Sequence, residues 1–404
     1  MADIFDKKPI AVIGEMAETG VSPYYRTAEP NAVMAGCNDY LGLATDPRLI
    51  DAATTATARY GTSCSGSRIL NGTLPLHEEL EARLAAFLGC EAALVTTTGF
   101  QANLAVGTLL GPGDAAFSDM ANHASLVDGV QLGQGTRFRY RHGDLAHLRR
   151  LLAAAAPDAG KLIVTDGMFS MEGDLCPLPG LRELADRYGA RLVVDGAHDI
   201  GLLGARGSGV AEHFGMPGAV DLLSGTFSKC FGSLGGLLAG PARIVEYLRY
   251  SARPVLFSAA MSPASAAAAL TALDIIETEP ARRERVFDHA ERLHNGLRAL
   301  GFATAPSITP VVPVHIGRSR LCLRMWQALH DAGVHTNAVV TPAVPRGRAL
   351  IRVTPQATHT DEQITRILDA FAGCGRRLGL VAGRAERAEH DWTPVALARP
   401  KLTG

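Results

Sequence analysis

The stretch "VDLLSGTFSKCFGSLGG", Val220 to Gly236, decides how the rest of the chain is read. It opens as "VDLLSGTF", a short apolar run with the length and bounding residues of a buried strand. It then presents a single amine, Lys229, among small residues. A lone lysine is ordinarily a solvated surface charge. Here Gly225, Thr226 and Ser228 offer no long side chains to share a charged face, while Phe227, Phe231, Leu234, Leu237 and Leu238 are expected to carry the segment into an interior. A lysine buried in such surroundings has a depressed pKa and becomes a nucleophilic amine suited to Schiff-base chemistry.

Upstream, "AALVTTT", "DAAFSD", "KLIVTDG" and "RLVVDGAH" repeat the pattern of an apolar run ending in polar residues, with the helical sequences "LAHLRRLLAAAA" and "LADRYGA" between them. Strand and helix in alternation imply an α/β fold with a doubly wound, mostly parallel sheet. Ahead of it, "RLIDAATTATARYG" and "LHEELEARLAAFL" predict helices closed by Gly61 and Gly89. From about Ser265 an Ala-rich helix leads into "ARRERVFDHAERLHNGLRALG", and the strand-like "TPVVPVHIG" and "ALIRVTPQ" bracket the helix "LCLRMWQALHDAG". The organisation expected is an irregular N-terminal segment 1–45, a large domain 46–275, a smaller α/β domain 276–385 and a tail 386–404.

With 404 residues, 47% hydrophobic and 20% charged, the chain is long enough for a large core, and its net charge of -1 gives no electrostatic footprint for nucleic acid. Seven cysteines without CxxC pairs or zinc-type spacing read as free thiols in a reduced, cytoplasmic protein with no metal site. The start "MADIFDKKPIAVIGEM" lacks the apolar run of a signal peptide, and no segment reaches the ~18 apolar residues of a membrane span, so any membrane association is expected to be peripheral at most.

In sheets of this class ligands gather at the carboxyl ends of the strands. Four such ends are polar: "TTTGFQAN" with Thr98, Gly99 and Phe100, where a helix N-terminus can bind phosphate; "VVDGAHD" with Asp195 and His198; "DMANHAS" with His123; and "TDGMFSMEGD" with Ser170. Each has an ordinary explanation alone, as a turn glycine, a helix cap, a core histidine or a strand-end serine. Together with Lys229 they match one cofactor, pyridoxal 5'-phosphate. Lys229 would hold its aldehyde as a Schiff base, and Asp195 would sit against the pyridine nitrogen and favour its protonated form. His198, with Ser170 as a second donor, would reach the 3-hydroxyl, His123 would lie against the ring, and Thr226 with the amides of Gly99 and Phe100 would take the phosphate.

The sequence resembles the α-oxoamine synthases, fold-type I pyridoxal phosphate enzymes, over roughly residues 35 to 370. "NDYLGL", "YGTSCSGSRILNGT", "LHEELE", "TTGFQAN", "NHASLVDG", "FSMEGD", "VVDGAH", "GTFSKCFGSLGG", "RPVLFSAAMSP" and "RVTPQATHT" occur in the family's order. The resemblance implies a mostly parallel sheet of seven-stranded type and a PLP-dependent acyltransferase. Such enzymes condense an amino acid with an acyl thioester, carried on coenzyme A or a carrier protein, with loss of carbon dioxide. It assigns the amino acid's carboxylate to Arg352, the substrate side of the pocket to Asn38 and Tyr40, and Ser258 and Ala259 to the phosphate of the partner subunit in a homodimer with its active site at the interface. "GTFSK" and "GSRILNGT" resemble the serine palmitoyltransferase branch and its secondary-metabolite relatives; 8-amino-7-oxononanoate synthase is the alternative. "TPAVPRGRALIR" is similar to that branch's proline-bounded loop, which makes Arg346 or Arg348 a candidate helper or else part of a solvated loop. Three positions depart from the family: Gly196 where a second acid is usual, Asp199 where Ser or Gly is usual, and Cys230 after the lysine. An aminotransferase on the same fold and a non-catalytic subunit are the competing readings, and the presence of Lys229, Asp195 and His198 weighs against the latter.

Overall fold

The computed structural model describes residues 16–27, 29 and 31–381; the expected tail from 386 lies outside the described residues. The strands are β1 (Val33–Met34), β2 (Ala92–Thr96), β3 (Ala115–Asp119), β4 (Thr136–Tyr140), β5 (Lys161–Asp166), β6 (Ala190–Asp195), β7 (Leu222–Thr226) and β8 (Gly236–Gly240). They continue with β9 (Ala303–Thr304), β10 (Val312–Gly317), β11 (Val334–His335), β12 (Asn337–Val339) and β13 (Ala349–Val353). The helices used below are α1 (Pro47–Tyr60), α2 (Pro75–Leu88), α3 (Gly99–Val106), α4 (Ala124–Leu132), α5 (Leu145–Ala154), α6 (Leu178–Tyr188) and α7 (Val210–His213). Beyond them come α8 (Ala242–Ser251), α9 (Arg253–Leu256), α10 (Pro263–Thr278), α11 (Pro280–Ala299), α12 (Ser319–Asp331) and α13 (Asp361–Arg377).

The chain divides into two units: one takes the segments up to Tyr40, Met171–Gly173 and from Arg285 onward, the other Leu41–Ser170 and Asp174–Glu284. The second is built on a seven-stranded sheet in the order β2-β8-β7-β6-β5-β3-β4. All its pairs are parallel except those of β8, which runs antiparallel to β2 and β7. This is the mostly parallel sheet the sequence predicts. Two of its strands, β4 and β8, were not expected: "TRFRY" alternates charged residues along an edge, and "GLLAG" begins and ends in glycine, so neither carries the unbroken apolar run of a buried strand.

Local signals explain the helix limits. Asp46 caps α1, accepting from the Arg48 amide at 3.1 Å, Pro47 fills its first position, and Gly61 ends it at φ 84°. Helix α2 starts at Pro75 and stops at Gly89, which adopts the left-handed conformation at φ 68°. On its inner face, beside Leu80, Leu84 and Phe87, lies Glu81, a buried carboxylate that accepts from Arg68 at 2.8 Å, Arg249 at 3.0 Å and the Val95 amide at 2.9 Å. One side chain thus ties the loop before α2 to β2 and α8.

In the other unit the antiparallel sheet β12-β13-β10-β9 packs its apolar side on α12 and α13, with Trp326, Ile351, Val353, Ile364 and Phe371 in one core. The N-terminal stretch, read from sequence as irregular, contributes β1, which pairs in parallel with β11.

Removing a carboxylate that neutralises a buried arginine leaves an uncompensated charge. Glu81→Ala is therefore expected to lower the unfolding free energy by ~3–5 kcal/mol in urea titrations, with Glu81→Gln losing less because the amide oxygen still accepts from Val95 and Arg68.

Candidate active site

A cavity of about 290 Å3 opens at the carboxyl ends of β5, β6 and β7 and the start of α3. Thr98, Gly99, Phe100, His123, Asp195, His198, Thr226 and Lys229, all named from the sequence, line it. Asn103, Ser125, Asp166, Met168 and Ser228 join them.

One end is built for an anion. Thr98 caps α3 by accepting from the Gln101 amide at 3.2 Å, and the Gln101 side chain returns to the Thr98 amide at 3.1 Å. The N–H groups of the first turn have no acceptor within the helix, and the helix dipole favours negative charge there. Thr226 and Ser228, whose hydroxyls are 2.9 Å apart, stand beside them. The approach is tight: a Cβ on Gly99 would lie 2.6 Å from the Thr226 Cβ, and one on Gly236 2.6 Å from the Gly99 backbone. Only glycines let the helix start this close to the end of β7.

The other end is acidic. Asp195 is buried at the last position of β6, accepting from Asn103 Nδ2 at 2.6 Å and from the Ala197 amide at 2.9 Å. Asn103 is itself buried; its oxygen accepts from Ser224 Oγ at 2.6 Å and its nitrogen also donates to Ser125 Oγ at 2.9 Å. Register sets Asp166 opposite Asp195, and Asp166 accepts from the His123 amide at 3.2 Å. Burial, then the charge on Asp195, push the Asp166 carboxyl well above the usual carboxylate range.

His123 caps α4. Its Nδ1 accepts from the Ser125 amide at 3.3 Å and lies 2.6 Å from Ser125 Oγ, which assigns the ring proton to Nε2. Burial holds its pKa below the ordinary value; Lys229 adds to the lowering and Asp195 opposes it. His198 is buried one turn beyond Asp195.

Lys229 sits on the hairpin between β7 and β8, which is closed by Phe227 N to Gly235 O at 3.0 Å and Ser233 N to Phe227 O at 2.9 Å. The lysine is half-buried rather than enclosed as the sequence implied. Phe227, Phe231, Leu237 and Leu238 do turn inward, but Leu234 is 55% exposed at the cavity mouth, because the hairpin crown points it away from the sheet.

The remaining residues named from sequence do not line the cavity. Ser170 is buried on the turn after β5, where Met168 and Asp166 reach the cavity instead. Ser258 accepts from Gln101 Nε2 at 2.7 Å, and the Ala259 carbonyl from Thr97 Oγ1, which sets both beside the start of α3. Asn38, Tyr40 and Arg352 belong to the other unit: Tyr40 is fully buried, and Arg352, 7% exposed on β13, donates to Asn38 Oδ1 at 2.8 Å. Arg346 and Arg348 are exposed, and Cys230 is buried as a filler against Gly201.

Sequence reading missed Asn103, Asp166 and His142. His142 bridges Asp119 at 3.0 Å and Asp174 at 3.1 Å and meets the Phe169 ring edge-on at 4.4 Å. Burial pulls its pKa down, but the two carboxylates push it up to about 11, so a permanent cation clamps the turn that carries Met168 and Ser170. The "FRYRHGD" pattern of a polar loop after an edge strand gave no hint of this. Asn103 was hidden as a lone polar residue inside an apolar helix.

The model of the aminotransferase class I and II family matches residues 33–371. A serine palmitoyltransferase of Sphingobacterium spiritivorum is 41% identical over 370 residues, 89% of this chain and 93% of that protein. An 8-amino-7-oxononanoate synthase of Thermosipho melanesiensis is 40% identical over 381 residues, 91% and 97%. Among solved structures, Sphingomonas wittichii serine palmitoyltransferase superposes with a TM-score of 0.90 at 34% identity, covering 94% of this chain and 100% of that one. The chain belongs to the aminotransferase class I and II family and, within it, to the α-oxoamine synthases, pyridoxal-phosphate-dependent acyltransferases. Its cofactor is pyridoxal 5'-phosphate.

The cavity suits that group on its own chemistry. It offers a helix N-terminus with hydroxyls for a phosphate, an amine for an aldehyde, and a buried carboxylate for a ring nitrogen, and the glycine contacts leave room between them. Asn103→Ala strips Asp195 and Ser224 of a shared partner at a cost of ~1–3 kcal/mol, so the affinity of the cofactor-free protein for pyridoxal phosphate is expected to fall about 10–100-fold in a fluorescence titration.

Proposed function

We propose that this enzyme joins a small L-amino acid, serine before alanine or glycine, to an acyl thioester, releasing an α-aminoketone, carbon dioxide and a thiol. The observation that carries the reading is the convergence of an amine, a buried carboxylate and a neutral imidazole in one cavity. Serine is favoured by the TM-score of 0.90 to the Sphingomonas wittichii serine palmitoyltransferase against 0.74, at 25% identity, to the Francisella tularensis 8-amino-7-oxononanoate synthase. Alanine with a pimeloyl thioester is the second reading, supported by the 40% identity to the Thermosipho melanesiensis enzyme.

When bound, pyridoxal phosphate supplies an aldehyde that condenses with amines and a ring that takes up an electron pair from the substrate's α-carbon. Lys229 is the residue that would hold the aldehyde, and once the amino acid's amine has displaced it, its Nζ would be free to remove the α-proton. Asp195, oriented by Asn103 and Ala197, keeps a proton on the ring nitrogen. Thr98, Thr226 and the first-turn amides of α3 take the phosphate, with Ser258 and Ala259 serving the site of a second subunit. His198 serves the ring's 3-hydroxyl, while Ser170, buried on its clamped turn, lies outside the cavity lining. His123, neutral with its proton on Nε2, donates to the substrate carboxylate or to the incoming thioester carbonyl. Arg352, with Asn38 and Tyr40 on its own unit, receives the amino acid's carboxylate through its forked guanidinium. The α-carbon would attack the thioester carbonyl with loss of the thiol, the β-keto acid would lose its carboxylate as carbon dioxide, and Lys229 Nζ would return a proton to the α-carbon and then displace the aminoketone's amine.

A homodimer fits the exposed apolar side chains near the cavity. Leu70 is 80% exposed and Phe257 76%, and their segments are tied by the Ala260 amide to Gly66 O at 2.9 Å. A cytoplasmic setting is supported by seven free cysteines, and no helix among the described residues is long and apolar enough to cross a membrane. The acyl donor is a coenzyme A or carrier-protein thioester.

Titrating the loaded enzyme with L-serine, L-alanine and glycine should shift its visible absorbance with one of them, serine first, and Lys229→Ala should lack the band of the resting enzyme. A response to alanine alone would select the second reading; no band after soaking in the cofactor would remove the assignment of Lys229. In light scattering the native enzyme should have twice the chain mass, and Leu70→Lys with Phe257→Glu should yield a monomer of reduced activity.

A further inference from the structure

Asp199 is a buried carboxylate that the steps above leave unused. It lies one residue past His198 on the turn after β6, is 1% exposed, and does not line the cavity. Neither of its oxygens has a hydrogen-bond partner; the amides of Ile200 and Val210 are near, but not in hydrogen-bond geometry. The carboxylate fills space that two glycine side chains would need. A Cβ on Gly167 would overlap Oδ2, and one on Gly196 would lie 2.6 Å from Oδ1. Gly167 follows β5 and Gly196 follows β6, neighbouring strands that end in the cavity residues Asp166 and Asp195. The glycines at 167 and 196 are thus what make room for the carboxylate at 199.

Building on the cofactor reading above, we propose that Asp199, lodged between Gly167 and Gly196, is a positioning residue that fixes the turn carrying Asp195 and His198 and sets a second negative charge behind Asp195. The charged and titratable groups facing it are Asp195 on its own turn, Lys229 on the β7–β8 hairpin and Cys176 beyond β5. Cys176 is held as a thiol by burial. Burial first, then Asp195, push Asp199 up to about 7, so its charge appears near neutrality. Coupling is reciprocal, so an ionised Asp199 strengthens the hold on protons at Asp195's end of the cavity and on Lys229. The folded-state pKa lies above the ordinary ~3.9 of an unfolded aspartate, so this group's contribution to stability is full below that value and is lost as pH rises to about 7.

Two measurements test this. In cofactor-free protein, Asp199→Asn should remove part of the fall in Tm between about pH 4 and pH 7. In loaded protein the same change should lower the apparent pKa of the visible band by about 0.5 unit or more, a ~3-fold weaker hold on the proton. Gly167→Ala should lower Tm sharply in the native background and much less with Asp199→Ser, which clears the overlapping oxygen. Asp199→Ser supplies the same readouts should the asparagine variant not fold. Unchanged Tm–pH profiles together with an unmoved band would overturn the proposal. A native protein that forms no band would defeat the cofactor reading instead, and the cofactor-free Tm profiles would then decide the role of Asp199 alone.

Discussion

Asp195 is a carboxylate taken out of water at the end of a buried strand, and the bond from Asn103 at 2.6 Å is what makes that burial tolerable. Because the same amide accepts from Ser224 and donates to Ser125, it draws α3 onto β6 and β7 and gives α4 its bearing. A helix pulled in this far must begin with glycine, since any Cβ at Gly99 would enter Thr226. The anion end and the acidic end of the cavity are thus two results of one contact.

Gathering aspartates at the ends of adjacent strands carries a repulsive cost, and the fold meets it differently at each. Asp119 has a cation in His142, Asp166 has the His123 amide and a raised proton affinity, and Asp195 has Asn103 and the Ala197 amide. Of the two acids that line the cavity, Asp195 takes donors from two residues and Asp166 from one, so Asp195 is the one the proposed reading sets against a cationic ring nitrogen.

The sheet was legible because buried parallel strands write themselves as apolar runs with polar ends, and β3, β5, β6 and β7 fall where those runs lie. Edge strand β4, with charges along it, and glycine-bounded β8 broke that rule and were not seen. Within the site, residues at strand ends and helix starts could be named, because position alone exposes them: Thr98, His123, Asp195, His198 and Lys229. Asn103, His142 and the place of Asp166 could not, because their partners lie 92, 23 and 43 positions away in sequence and only folding joins them. Leu234 was misjudged for a related reason: inside an apolar stretch, nothing local tells that a hairpin crown will turn one leucine outward.

The hairpin itself has a mechanical consequence. Lys229 stands on a short arch whose two feet, β7 and β8, are strands of the central sheet, one pairing with β6 and the other with β2. The arch is fixed to the sheet at both ends. On the function proposed above, the travel of the amine between its bonded and free positions would come from rotation within the lysine's own four-carbon arm, while Gly232 lets the arch itself lie against the backbone of Leu43 and Ala44.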